Sequence, residues 1–344
     1  MPVPSCRPRF TLPLAAVGFA FLIAAAPVPV RASQVLGDGA VVDSIRGIAY
    51  LAQPQGGIEA LDLSTGQAVW RSAAAAKPLA LAGGTGEALL AQMEPGTGGV
   101  LRIATLDPRT GAEKGRGELA LPAGLWASVT DNLRGTFRLR AAAVHDGGSI
   151  LLAWTATAAA PLHGFVPPDL SLRVPIGAAV AAPTPAAKVG GFERGAARLD
   201  PVTGRITPVA DSEVVALAAA IDRGLAPGGA AEVAGASGPS GFASIDGRHA
   251  LTSERVAGSL HTYRWSISVR QTGSVLAVLD VPVSFAPFVV VGGKVIYLAQ
   301  PSLRRENGVT IGQPLRLRAL DLQTGAESWQ AVVRDSAYRG PIPP

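Results

Sequence analysis

GIEALDLSTGQAVW, Gly57 to Trp70, decides how the rest of the chain is read. Ile58, Ala60, Leu61 and Leu63 form a short, partly alternating apolar run, the pattern of a strand buried in a stacked sheet. Asp62 opens a D-x-x-T-G group: Asp and Thr side-chain oxygens accept bonds from nearby backbone N–H groups, and Gly66 takes positive φ without a Cβ clash. The chain reverses there, and Ala68-Val69-Trp70 returns as a second strand. A lone hairpin of this kind is marginal in water and needs repeats around it.

The stretch recurs as LRLRALDLQTGAESW, Leu315 to Trp329, with weaker copies at Leu101–Gly111 and Gly195–Gly204. Thr-Gly turns stand at Thr65-Gly66, Thr110-Gly111, Thr203-Gly204, Thr272-Gly273 and Thr324-Gly325. Asp62, Asp107, Asp200 and Asp321 precede four of them; Val269 holds the place in the degenerate fourth copy. Ahead of each lies a glycine turn leading into an apolar strand: Gly47, Gly83-Gly84, Gly147-Gly148, Gly247 and Gly292-Gly293. The tract YLAQP occurs twice, at Tyr50–Pro54 and Tyr297–Pro301. Each unit therefore reads as strand, glycine turn, strand, loop, strand, D-x-x-T-G turn, strand. Five such meanders predict an all-β chain, a β-propeller of four-stranded antiparallel blades, with five blades expected and six or seven possible if degenerate units hide in the long loops.

The spacing is uneven. Gly47 to Gly66 is the shortest unit and Gly148 to Gly204 the longest. Long loops are expected near 123–135, which carries Trp126, at 158–190, which is Ala/Pro-rich, and at 226–241, which is Gly/Ala/Ser-rich. Loops of this length are where a binding surface is expected. Arg304-Arg305-Glu306-Asn307 is read as a charged loop tip, and Asp335–Pro344 as a tail that adds to the first blade or lies across it to close the ring.

Residues 1–32 have the form of a secretory signal peptide: Arg7 and Arg9, an apolar run from Phe10 to Ala26, and Val30-Arg31-Ala32 ahead of a cut before Ser33. The alternative, an uncleaved anchor, is disfavoured because the run falls short of the ~20 residues a spanning helix needs. One domain, 33–344, follows, and no second long apolar run is present. Cys6, the only cysteine, lies in the leader, so residues beyond it offer no disulfide, thiolate metal site or cysteine nucleophile. Of the formal net charge of +5, three positive charges belong to Arg7, Arg9 and Arg31. The remainder is too weakly basic to suggest nucleic acid or an acidic membrane.

The pattern A-L-D-x-x-T-G-x-x-x-W resembles the PQQ-like β-propeller repeat. That repeat occurs in quinoprotein dehydrogenases and in the propeller lipoprotein of the outer-membrane β-barrel assembly machinery. Units one and five match it, including Trp70 and Trp329. In that family the equivalent Trp docks between adjacent blades, so the resemblance implies a structural role for both. Units two, three and four depart from it, with Gly115, Pro208 and Ala277 at the Trp position. The quinoprotein enzymes are longer and carry vicinal cysteines and a carboxylate–calcium site; no such pattern is present in this sequence.

No residue is assigned a catalytic, cofactor-binding or metal role, and no cofactor is expected. Asp62, Asp107, Asp200 and Asp321 could form a ring of carboxylates, but turn capping accounts for them at a fixed place in a hairpin. His145, His163, His249 and His261 show no ligand spacing. The glycine pairs precede no helix that could cradle phosphate, and no G-x-S-x-G elbow is present. The expected function is a non-catalytic protein-protein interaction scaffold, exported to the periplasm or secreted, with an envelope or outer-membrane protein as partner. The alternative is a ligand- or cofactor-binding propeller with quinoprotein-like oxidoreductase activity in its central pocket.

Overall fold

The computed structural model describes residues 34–37, 39–83, 87–93, 100–120, 137–146, 148–158, 192–209, 241–300, 302–306 and 309–334. Residues 31–344 form one compact unit. The leader, the tail 335–344 and nearly all of the three long loops lie outside the described residues.

The D-x-x-T-G groups fold as the sequence predicts. In the first, Asp62 Oδ1 accepts the backbone N–H groups of Ser64 and Thr65 at 2.8 and 2.9 Å. Gly66 takes φ +74° and donates its N–H to the Asp62 carbonyl at 2.7 Å. The turns at Asp107, Asp200 and Asp321 repeat this arrangement. The fourth copy keeps the backbone bonds without the carboxylate: Gly273 N donates to the Val269 carbonyl, and Val269 N to the Ser274 carbonyl.

Among the described residues, five four-stranded antiparallel meanders follow one another in sequence order around these turns, and the fold is a β-propeller. An extra strand, β1 (Gln34–Gly37), precedes the first. Blade 1 is β2 (Ala40–Asp43), β3 (Ile48–Ala52), β4 (Ile58–Asp62) and β5 (Ala68–Ser72). Blade 2 is β6 (Lys77–Ala82), β7 (Ala88–Gln92), β8 (Val100–Leu106) and β9 (Glu113–Ala120). Blade 3 is β10 (Phe137–Asp146), β11 (Ser149–Ala158), β12 (Phe192–Leu199) and β13 (Ile206–Pro208). Blade 4 is β14 (Phe242–Ala243), β15 (His249–Arg255), β16 (Tyr263–Val269) and β17 (Val275–Val281). Blade 5 is β18 (Phe288–Val291), β19 (Lys294–Ala299), β22 (Arg316–Asp321) and β23 (Glu327–Val332), with a two-stranded hairpin, β20 (Ser302–Glu306) and β21 (Val309–Gln313), inserted between its second and third strands.

Three features depart from the sequence reading. Blade 1 has five strands, because β1 pairs antiparallel with β2. Leu36 of β1 is buried with Leu298 and Leu317 of blade 5, so the extra strand ties the first blade to the last. Of the charged tip expected at Arg304–Asn307, Arg304 to Glu306 belong to a paired strand rather than to a loop, with Arg304 opposite Ile311 and Arg305 opposite Thr310, and Asn307 lies outside the described residues. Finally, the two YLAQP tracts are not equivalent. Tyr50 stands opposite Ala60, but the residue opposite Ala319, the counterpart of Ala60, is Ile296. Tyr297 is one place further on, and one residue of slip turns a side chain to the other face of a sheet. Tyr50 therefore packs between blades 1 and 2, and Tyr297 between blades 4 and 5.

Apolar clusters join blade 5 to 1, 1 to 2, 2 to 3 and 4 to 5. Blade 5 also bonds to blade 1 through the Arg334 N–H, which donates to the Ala52 carbonyl at 2.8 Å. Blades 3 and 4 are linked in sequence by 210–240, which lie outside the described residues.

Candidate functional site

The turn carboxylates do not converge on a ligand. Each accepts N–H groups of its own turn, and this holds each below the usual carboxylate range. For Asp62 the Ser64 hydroxyl contributes most; for Asp200 it is the Thr203 hydroxyl; for Asp321, the backbone N–H of Thr324. Burial pushes Asp107 up, but Lys114, at 3.0 Å, and the backbone N–H groups of Arg109 and Thr110 together outweigh it. All four act as turn caps.

The histidines are not brought together either. His145 lies half-buried on β10, His261 is exposed, and His163 falls outside the described residues. His249 belongs to a cluster the sequence reading missed, in the β14–β15 turn Ser244-Ile245-Asp246-Gly247. Ser244, 3% exposed, donates its hydroxyl to Asp246 Oδ1 at 2.5 Å and accepts the backbone N–H of His249 at 2.9 Å. The imidazole Nδ1 lies 4.0 Å from Asp246 Oδ1, and burial pulls its pKa below the usual histidine range despite that carboxylate. These are three residue types of a hydrolase triad in the wrong order. The hydroxyl bonds the carboxylate, so the imidazole is not placed to take its proton. The Asp246-Gly247 dipeptide was the available signal, and it marks a turn. Among the described residues no three His, Cys, Asp or Glu side chains form a metal-ligand set.

The informative differences lie at the blade junctions, on the fourth strand of each blade. Trp70 on β5 crosses to the turn of blade 2: its Nε1–H donates to the Pro108 carbonyl at 3.1 Å, and its ring lies flat against Gly111. A Cβ on Gly111 would come within 2.5 Å of the ring, so only glycine allows this contact. Trp329 on β23 does the same to blade 1, with Nε1–H to the Leu63 carbonyl at 3.2 Å and its ring on Gly66. The structural role implied for both tryptophans is what the structure shows. At the 2–3 junction Gly115 takes the Trp position, and the β9 backbone descends onto Gly204; a Cβ on Gly117 would overlap the Gly204 carbonyl oxygen.

The 4–5 junction follows neither pattern. Ala277 stands opposite Ile267, the register place that Trp70 holds opposite Ala60. Leu279 leans toward Gly325, 3.5 Å from where its Cβ would be. A cleft of about 560 Å³ remains, lined by Arg264, Val278, Leu279, Asp280 and the turn residues Gln323, Thr324 and Gly325. Arg264 on β16 and Asp280 on β17, opposite each other within blade 4, pair beside it through two hydrogen bonds, at 3.0 and 3.2 Å.

The rim beside this cleft is unusual as well. On the exposed side of the fourth strand, blade 1 carries Val69 and Arg71, blade 2 Lys114 and Arg116, blade 3 Thr207, and blade 5 Ser328 and Gln330. Blade 4 carries Val275, Leu276 and Val278, which are 60, 43 and 56% exposed. Charged or polar residues on an outer strand discourage pairing with another chain, and on this strand the one charged residue is Asp280, which is paired with Arg264.

No protein-family model and no curated protein matches the chain. Solved structures similar to it include BamB from Moraxella catarrhalis, at 15% identity over 84% of this chain and 62% of that one, with a TM-score of 0.25. The Dos1 propeller is 9% identical over 81% of this chain and 65% of that one, with a TM-score of 0.25. A europium-containing methanol dehydrogenase is 11% identical over 86% and 68%, with a TM-score of 0.22. The chain thus spans less than two thirds of the first two. The fold assignment rests on the five meanders and the docked tryptophans of this chain.

Proposed function

We propose that this protein is an exported, non-catalytic scaffold that binds other proteins of the cell envelope. The observation that carries it is the apolar rim of blade 4. Among the described residues the other four blades present polar or mostly polar outer strands, whereas β17 exposes Val275, Leu276 and Val278 together, with Asp280 beyond them paired to Arg264. Contiguous exposed apolar side chains mark interaction surfaces. The frame beneath is suited to the task, because the buried Leu251, Trp265 and Ile267 of the neighbouring strands anchor the rim. Export rests on the leader-like residues 1–32.

The test is affinity capture from envelope extract with the purified protein as bait, beside a variant carrying Val275→Lys and Leu276→Lys. Specific envelope proteins should be retained by the first and lost by the second. Equal retention by both, or none by either, removes the reading.

A further inference from the structure

The cleft between blades 4 and 5 has the parts of the two indole sites found elsewhere in the molecule. Its floor is the Asp321–Gly325 turn, whose bonds match those of the turns under Trp70 and Trp329. Gln323 N and Thr324 N both donate to Asp321 Oδ1 at 2.9 Å, and Gly325 N donates to the Asp321 carbonyl at 2.8 Å. Gly325 has φ +71°, as Gly66 has +74° and Gly111 +71°. The carbonyls that accept the indole N–H belong to the residue after the turn aspartate, Leu63 and Pro108; Leu322 holds that place here. What is absent is the side chain from the preceding blade, because β17 supplies Ala277 where β5 and β23 supply Trp. Leu279 covers part of the floor and the cleft stays open beside it. Arg264, held by Asp280, stands among the lining residues.

We propose that this cleft is a receptor for an aromatic side chain, with indole the best fit, carried by a protein partner. The inference rests on the scaffold reading and names the chemistry of its contact. The ring stacks on Gly325, an indole N–H reaches the Leu322 carbonyl, and the flanking partner backbone runs along the apolar edge of β17. Two occupants of the same receptor are already on view within the chain, and both are tryptophans.

The probe is N-acetyl-tryptophanamide, with N-acetyl-alaninamide as control, titrated into the purified protein while the methyl resonances of Val278 and Leu279 are followed. Two variants accompany it. Ala277→Trp with Leu279→Ala gives Trp-Val-Ala, which repeats the Trp-x-Ala spacing of Trp329–Ala331, and fills the cleft from within. Val278→Glu changes an exposed residue and leaves the core intact. Saturable shifts with the tryptophan probe alone, weakened about tenfold or more in both variants, support the receptor. The filled variant should also gain about 2–4 °C in Tm, the shift expected for about 1 kcal/mol in a domain of this size class. Absence of saturable shifts, or shifts unchanged in both variants, overturns it. Envelope proteins retained equally by wild type and Val278→Glu would remove the cleft as the contact and leave the scaffold standing. Ring binding with no envelope protein retained would keep the receptor and remove the scaffold.

Discussion

At the junction of blades 1 and 2 an indole fills the space over the turn glycine. At the junction of blades 2 and 3 nothing fills it, and the strand backbone itself comes down on the turn. Both arrangements rest on the same D-x-x-T-G loop, with its glycine at positive φ and its aspartate bonded inward. The difference lies in the fourth strand. Trp70 holds the strand off the turn by the thickness of a ring, whereas Gly115 and Gly117 let it approach until backbone meets backbone. A repeated turn can therefore support two spacings between blades, chosen by the residues that face it.

The two junctions should fail differently. Gly117→Ala is expected to cost most, about 3 kcal/mol, because a methyl there overlaps the Gly204 carbonyl and a backbone contact cannot relax as a side chain can. Denaturant unfolding measures it; a cost below about 0.5 kcal/mol, the level of an ordinary surface change, would mean the blades are not in close backbone contact. Trp70→Ala and Trp329→Ala should each cost about 2–3 kcal/mol, somewhat less than a fully buried Trp, since both rings are partly exposed. If the tryptophan variants prove nearly neutral, the ring is a cover rather than a spacer.

Much of this architecture is legible in the sequence because it depends on local chemistry. Asp62, Thr65 and Gly66 make a turn from their own side chains and backbone, wherever the blade sits. Gly47 and Gly293 likewise announce reversals that the structure contains. Relations across strands are less legible. Tyr50-Leu51-Ala52-Gln53-Pro54 and its exact copy at 297–301 suggest equivalent strands, but Tyr50 is three residues past its glycine turn and Tyr297 four past its own. Register is set by pairing with β4 and β22, and one residue decides which neighbour a tyrosine meets. The same limit hid β1, whose partner is known only once β2 is in place. The β20–β21 hairpin was more accessible, since Asn307-Gly308 between its strands is a strong hairpin dipeptide. The cleft could be anticipated only as a missing Trp at Ala277; its shape depends on how far Leu279 leans toward the next blade.

The indole junction contains a finer comparison. The Pro108 carbonyl accepts from both Trp70 Nε1–H, at 3.1 Å, and the Tyr50 hydroxyl, at 3.2 Å, and burial pushes that hydroxyl's pKa well above the usual tyrosine range. Either donor alone satisfies the oxygen. Tyr50→Phe should cost about 0.5–1 kcal/mol, the net worth of one bond, with Trp70→Phe costing more because it also loses ring area. Together they leave a buried carbonyl without a donor, so the double variant should lose about 1 kcal/mol beyond the sum. Strict additivity in a double-mutant cycle would show that the two donors do not share the acceptor in solution.

The smallest effect separates the turns that carry aspartate from the one that does not. Val269 keeps the backbone bonds of the turn but leaves no carboxylate to accept the N–H groups of Gln271 and Thr272, as Asp62 does for Ser64 and Thr65. Val269→Asp should therefore stabilise the protein by about 0.5–1 kcal/mol at neutral pH, the value of a side-chain cap on backbone N–H groups. The sign of its pH dependence follows from the other four turns, where the folded carboxylate is held below its ordinary value. Such a group favours the folded state above the unfolded pKa, about 3.9, and its contribution disappears as pH falls through the lower, folded value. The gain should thus be complete at pH 6, diminish below pH 4, and be absent once the carboxylate is protonated in both states. Thermal unfolding of wild type and variant across that range measures it. A gain that persists unchanged into acid would assign the effect to backbone conformation, and would show that these turns depend on the glycine more than on the aspartate.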